Sequence, residues 1–222
     1  MKTPVIIPAY NDEKNIGALL RTLPRDLVEP IVSVSGSTDR TAAIAYNRGA
    51  KVMDNPELGK LPAIQRALRY LGDRALQPLI ILDADAFPIF PKAWYSRMVG
   101  AMEDEVGRQS VVSGPVWFTP NEHSSYAAAA TRSIYRLSET ALSSGATRFS
   151  GEGGARHNPN LGLHIFDKNL LDEVLALDHY WPGDDSAITE KVVNDNDGAY
   201  RQLVCPAAMV LKSESSWLES TR

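Results

Sequence analysis

The sequence predicts an α/β fold in which a mostly parallel sheet is covered by helices on both faces. Three observations lead there: short β-rich runs alternate with helical periodicity over residues 1–105, each unit has βα length, and three of the apolar runs end in polar or turn residues. A chain of 222 residues suits one such domain around one continuous core.

The elements follow in order. "PVIIPAY" is the first strand, and Ile16, Leu19, Leu20 and Leu23 recur at helical spacing behind it, with Asn11 or Asp12 placed to cap that helix. "PIVSVS" is the second strand, followed by a helix from Thr41 to Arg48 that Gly49 closes. "AKVM" precedes a helix with Ile64, Ala67, Leu68 and Leu71 on one face, stopped by Gly72. "PLIIL" runs into Asp83-Ala84-Asp85, and Pro91 opens a helix carrying Trp94, Met98 and Met102. The alternation then breaks. "SVVSGPVWF" reads as one strand, and Tyr126, Ala130, Ile134, Leu137 and Ala141 form an apolar stripe at helical spacing that reads as core packing. Arg132, Arg136 and Glu139 lie elsewhere on that helix, and "SSGATRFSGEGGARHNPN" reads as a long polar loop. There is no internal repeat and no domain linker.

Composition excludes several function classes. Apolar residues at 44% and charged residues at 23% describe a chain that folds. A net charge of −4 with scattered basic residues argues against nucleic acid as a partner and against a polybasic membrane anchor. Cys205, in the apolar run "LVCPAAMVL", reads as a buried small hydrophobe rather than a nucleophile. Met1-Lys2-Thr3 passes directly into a strand without a signal-peptide pattern, and no apolar run approaches the ~20 residues that span a bilayer. The expectation is a cytoplasmic protein without a transmembrane segment, with any membrane contact peripheral.

In an open parallel sheet, ligands bind beyond the carboxyl ends of the strands. Those ends are Pro8-Ala9-Tyr10-Asn11, Ser35-Gly36-Ser37-Thr38-Asp39 and Asp83-Ala84-Asp85, and they are expected to converge. Two aspartates one residue apart point to the same side of an extended chain, so Asp83 and Asp85 would stand together at the sheet edge. Ionising both is costly without a cation, and hard oxygen ligands suit Mg²⁺ or Mn²⁺ shared with a substrate phosphate. A surface turn or helix cap would explain an isolated pair equally well. The strand-end context argues for a ligand.

Taken together, "VIIPAYNDEKNIGALLRTL", "SGSTDRTAAIAYNRGAKV", "GKLPAIQRAL", "LIILDADAFP" and, more weakly, "PGDDSAITEKV" resemble the GT-A-fold glycosyltransferases of the family 2 type over nearly the whole chain. The resemblance implies a Rossmann-like three-layer α/β/α sandwich forming a single domain. Residues 1–105 would be its nucleotide-sugar-binding half and 106–222 its acceptor-binding half. It further implies transfer of a sugar from a nucleotide diphosphate sugar to an acceptor hydroxyl, metal-assisted and inverting. The acceptor could be a glycan, a lipid-linked molecule or a small molecule. Pro8, Ala9 and Tyr10 would line the nucleotide pocket, Asp83 would lie near the ribose, Asp85 would hold the metal, and Lys60 would face the donor. In "PGDDSAITEKV" the second acid, Asp185, would be the catalytic base, with Asp184 beside it; either is also a normal helix start.

Two departures stand out. Family members commonly carry one or two aspartates where this chain has Val34 and Ser35, so the resemblance implies base recognition that is weakened, altered in specificity, or shifted to Ser35, Asn11 or Asp39; alternatively, strand register turns Val34 into the core. Many members supply a late histidine to the metal, whereas here Lys212 stands at about that position and would repel the metal or replace its charge. The Gln-x-x-Arg-Trp motif of processive synthases and the Gly-x-Gly-x-Arg signature of nucleotidyltransferases are both missing. A retaining transferase of this fold, and a binding module without turnover, are the rival readings.

Overall fold

A computed structural model describes residues 1–55, 58–103, 109–119, 130, 160–178, 184–195, 201–202 and 206–213. Strands β1 (Thr3–Ala9), β2 (Val28–Ser35), β3 (Lys51–Asn55) and β4 (Leu79–Leu82) alternate with helices α1 (Ile16–Thr22), α2 (Thr41–Asn47) and α3 (Lys60–Leu71). Next come β5 (Ala86–Pro88), α4 (Pro91–Glu103), β6 (Ser110–Ser113), β7 (Val116–Thr119), β8 (Asn160–His164), α5 (Lys168–Leu175), α6 (Asp184–Asp195), β9 (Arg201–Gln202) and β10 (Val210–Ser213).

The main sheet has seven strands in the order β3-β2-β1-β4-β8-β6-β9, parallel except where β8 runs antiparallel to β4 and β6. Continuous apolar runs such as Leu79–Leu82, buried throughout, are what a sheet covered on both faces requires. Ile7, Val34, Leu82, Leu19, Ala45 and Trp94 belong to the core on one face, beneath α1, α2 and α4. On the other face Ile6, Ile31, Ile81, Leu68, Val174 and Ile188 pack with α3, α5 and α6. This is the three-layer α/β/α arrangement, and no described helix is long and apolar enough to cross a membrane.

Several sequence expectations need correction. "SVVSGPVWF" is two strands in two sheets: β6 lies in the main sheet, while β7 joins β10 and β5 in a three-stranded sheet. The break falls at Gly114-Pro115. A Cβ on Gly114 would stand 2.3 Å from both the Ala208 carbonyl oxygen and Asn160 Nδ2, so only glycine passes there. Neither Asn11 nor Asp12 caps α1 with its side chain; instead the Asp12 carbonyl accepts the amides of Asn15 and Ile16. Asn160, assigned to the polar loop, opens β8, and α5 was not foreseen although Asp167 caps it by accepting the Asn169 amide at 2.8 Å. Apart from Ala130, the stripe from Tyr126 to Ala141 lies outside the described residues, as do the glycine-rich loop before Asn160 and Cys205.

Candidate functional site at the carboxyl ends of the strands

Strand order reverses at β1, whose neighbours β2 and β4 carry the chain to opposite sides. That switch point opens the crevice where this class of sheet binds ligands. The ends of β1, β2 and β4 meet there as expected.

The β1 and β2 ends are tied into one framework. The Asn11 amide donates to Ser37 Oγ at 2.9 Å, and the Thr38 amide donates to Asn11 Oδ1 at 2.9 Å. Asn11 takes a positive φ of 51° to make this double link, a conformation asparagine tolerates. The Asp12 amide donates to Thr41 Oγ1, and the amides of Glu13 and Thr41 donate to the two oxygens of Asp39 at 3.0 and 2.9 Å. Burial works to raise the Asp39 pKa, but these bonds and the one from Thr41 Oγ1 outweigh it and hold the carboxyl below its ordinary value. Asn11 Oδ1 and both Asp39 oxygens therefore fasten loops together. Pro8 and Ala9 are buried, whereas Tyr10 is 59% exposed at the rim. Asp12 is raised to about 6, first by burial and then by the nearby charges of Asp85 and Asp83, against hydrogen bonds from the Tyr10 amide and Asn15 that lower it.

Val34 resolves the question that the sequence left open. It is 3% exposed, pairs in register with Ala9 and Asp54, and packs in the core beneath α1 and α2. Its side chain faces inward, toward the core. Ser35 takes the opposite direction, and its Oγ accepts the Gly59 amide at 3.0 Å. Gly59, at φ 120°, leads into α3, so Ser35 fixes the point from which Lys60 starts.

The two carboxylates meet in space, though not because the strand stays extended. The chain turns after Leu82, with the Ala86 amide donating to the Asp83 carbonyl at 3.0 Å. Asp83 Oδ1 pairs with Lys60 Nζ at 2.6 Å, and Asp83 Oδ2 with Lys212 Nζ at 2.7 Å. Lys212 Nζ also reaches Asp85 Oδ1 at 2.9 Å. Lys212 arrives on β10, whose antiparallel register sets it opposite Ala86 and whose parallel register sets it beside Phe118. It is 4% exposed. Burial lowers an ammonium pKa, but Asp83 and Asp85 outweigh that and hold Lys212 above its ordinary value, so it stays charged.

A polar junction not anticipated from the sequence braces this arrangement. Trp94 Nε1 donates to Asn160 Oδ1 at 2.9 Å, and Asn160 Nδ2 donates to the Ala208 carbonyl at 3.0 Å. It links α4 and β8 to the segment entering β10. Trp94 and Asn160 lie 66 residues apart, so no local sequence signal marks the junction; it shows only in the structure, as a buried asparagine with its polar atoms satisfied.

The described side chains do not fit a divalent ion. Three of the four carboxylate oxygens of Asp83 and Asp85 face ammonium groups, and no cluster of three or more acidic, histidine or cysteine ligands occurs among the described residues. Mg²⁺ can be held by one or two carboxylates together with water and a substrate phosphate, so it is the two ammonium groups already on these oxygens that disfavour the ion. Asp184 and Asp185 open α6, as the sequence suggested, and their side chains lie outside the described residues.

Comparison with known proteins puts this site in context. A 52-residue stretch is 48% identical to the 4,4'-diaponeurosporenoate glycosyltransferase of Staphylococcus aureus, covering 22% of this chain but only 14% of that protein. The fold matches glucosyl-3-phosphoglycerate synthase from Mycobacterium tuberculosis, solved with Mn²⁺, UDP and glucosyl-3-phosphoglycerate, at TM-score 0.55 and 20% identity over 96% of this chain and 70% of that one. It also matches a mannosyltransferase from Pyrobaculum calidifontis, solved with GDP-Man and Mn²⁺, at TM-score 0.60 and 20% identity over 95% of this chain and 56% of that one. The architecture is therefore the GT-A glycosyltransferase fold. The profile of the family described as Glycosyl transferase family 2 matches residues 5–151, and this chain belongs to that family.

Proposed function

We propose that the chain transfers a sugar from a nucleoside diphosphate donor to an acceptor hydroxyl, with inversion at the anomeric carbon. The observation that carries this reading is the meeting of Lys60, Asp83, Asp85 and Lys212 at the switch point of a family 2 fold. Two ammonium groups suit a diphosphate, and Tyr10, exposed at the rim after β1, offers the adjoining surface for a nucleoside. The acceptor oxygen forms its bond to the anomeric carbon as the bond from that carbon to the diphosphate oxygen breaks, and the electron pair leaves with the diphosphate. Asp185 takes the hydroxyl proton.

The solved relatives hold Mn²⁺ or Mg²⁺, which supports a cation beside the leaving diphosphate in this fold. The side chains described here supply positive charge of their own, and no step above depends on a metal. The relatives' names span 4,4'-diaponeurosporenoate and phosphoglyceric acid, so donor and acceptor must be found by screening.

A thermal-shift panel of nucleotide sugars, with and without Mn²⁺, identifies the donor; a specific one adds about 3 kcal/mol of stability at a hundredfold excess over Kd. With that donor, Asp185→Asn should leave affinity nearly unchanged and cut transfer by about 10²-fold or more. The closed cluster of lysines and aspartates favours a second reading, a binding module without turnover. That reading wins if the donor binds while neither transfer nor slow donor hydrolysis appears.

A further inference from the structure

We propose that the Lys212 ammonium group, held between Asp83 and Asp85, is this chain's built-in cation for the donor diphosphate, in place of a divalent metal ion. The inference rests on the donor reading above and concerns what neutralises the diphosphate.

Its position carries the argument. Lys212 Nζ lies 2.7 Å from Asp83 Oδ2 and 2.9 Å from Asp85 Oδ1, where an ion bridging these carboxylates would have to sit. Lys60 Nζ takes the remaining Asp83 oxygen at 2.6 Å. Among the described side chains of this cluster, a metal would meet two ammonium groups, and the carboxylate oxygen of Asp83 and Asp85 that no ammonium contacts is Asp85 Oδ2. That oxygen is buried and has no hydrogen-bond partner among the described residues. It remains as an acceptor for a hydroxyl of the bound donor.

Lys212 is also not a mobile surface side chain that has drifted inward. It is 4% exposed, its strand is fixed between β5 and β7, and its carbonyl accepts from Thr119 Oγ1 at 3.3 Å. A buried lysine anchored by two carboxylates keeps its charge and its place, which is what a preorganised phosphate site needs. Lys60 stands beside it on the first turn of α3, where helix amides add to the positive potential.

The test is nucleotide binding by calorimetry, with UDP and GDP as probes, in EDTA and in saturating Mn²⁺. Wild-type affinity should agree within about twofold between the two conditions. Lys212→Met should weaken binding in EDTA by about tenfold to a hundredfold, the worth of a charge-assisted hydrogen bond. Lys212→His should bind poorly in EDTA and regain at least about tenfold with Mn²⁺. Paramagnetic resonance of Mn²⁺ without nucleotide should show free ion with the wild type and bound ion with Lys212→His. Circular dichroism checks that each variant is folded, and if neither is, the wild-type comparison decides alone. Wild-type binding that improves tenfold or more with Mn²⁺, or Lys212→Met that binds normally in EDTA, overturns the proposal and leaves the donor reading intact. If no nucleoside diphosphate binds under either condition, both are overturned.

Discussion

Replacing Val34 by aspartate, the residue type common at this position in the family, should unfold the sheet edge rather than restore a nucleotide contact. The side chain is 3% exposed and lies in the core with Ala9, Val32 and Ala45, and its partner on β3 is Asp54. Losing a buried valine removes about 1.5–3 kcal/mol of transfer free energy. Keeping the new carboxyl neutral at pH 7, from an unfolded pKa near 3.9, costs about 4 kcal/mol more. A total near 5.5–7 kcal/mol corresponds to a fall in Tm of roughly 11–28 °C for a chain of this size. The sign with pH follows from a raised folded pKa: the deficit against wild type should be smallest below pH ~4 and grow as pH rises through the shifted value. Val34→Ala, which leaves only a small cavity, should cost about 2 kcal/mol with no pH dependence. Scanning calorimetry at several pH values measures all three proteins, alongside UDP and GDP affinities. A Val34→Asp protein melting within about 2 °C of wild type at pH 7, with a new base preference, would refute the inward placement.

Other perturbations read other parts of the framework. Ser35→Ala removes the acceptor for the Gly59 amide, so Tm should fall by about 2–4 °C and UDP affinity by a few fold as the start of α3 loosens around Lys60. Gly114→Ala forces a Cβ to within 2.3 Å of a backbone carbonyl and of Asn160, and chemical denaturation should show a loss of more than about 2 kcal/mol. Asp12 is raised to about 6, so its contribution to stability is fully present below its ordinary value of 3.8 and is lost as pH rises through about 6. Asp12→Asn should therefore raise Tm at pH 8 and leave it unchanged near pH 4, and equal effects at both values would rule out the shift.

The alternating half of the fold was legible because its helices carry an apolar face and its strands end at glycines and prolines, signals that act within a few residues. Ile64, Ala67, Leu68 and Leu71 are all buried, and Gly72 ends their helix at φ 55°. Val34 could not be oriented from sequence, because a parallel strand buried on both faces has no alternation to set its register. The end of β6 was hidden for another reason: what excludes a side chain at Gly114 is Ala208, remote in the chain. The site was partly legible. The resemblance to the family named Lys60, Asp83 and Asp85 and set Lys212 at the place of a metal ligand, but the pairing of Lys212 with them depends on the register of β10 against β5, which no local pattern records. Asp83 and Asp85 converge through a turn rather than along an extended strand, and a turn of this kind is set by backbone pairing that the apolar run before it does not record.

The lysine that closes this cluster lies 129 residues after Asp83 and 127 after Asp85. During synthesis at ≈5–20 residues per second, that separation is a delay of about 6–25 s. Over that interval β1, β2, β4 and α3 can assemble with Lys60 opposite Asp83, while the cation that contacts Asp85 has not yet been made. A nascent chain would thus expose, for some seconds, a carboxylate pair open to whatever cation the surroundings offer. Completion of the cluster is consequently a late event in the birth of the molecule, and a chain stopped before β10 would hold the acids of the site without Lys212.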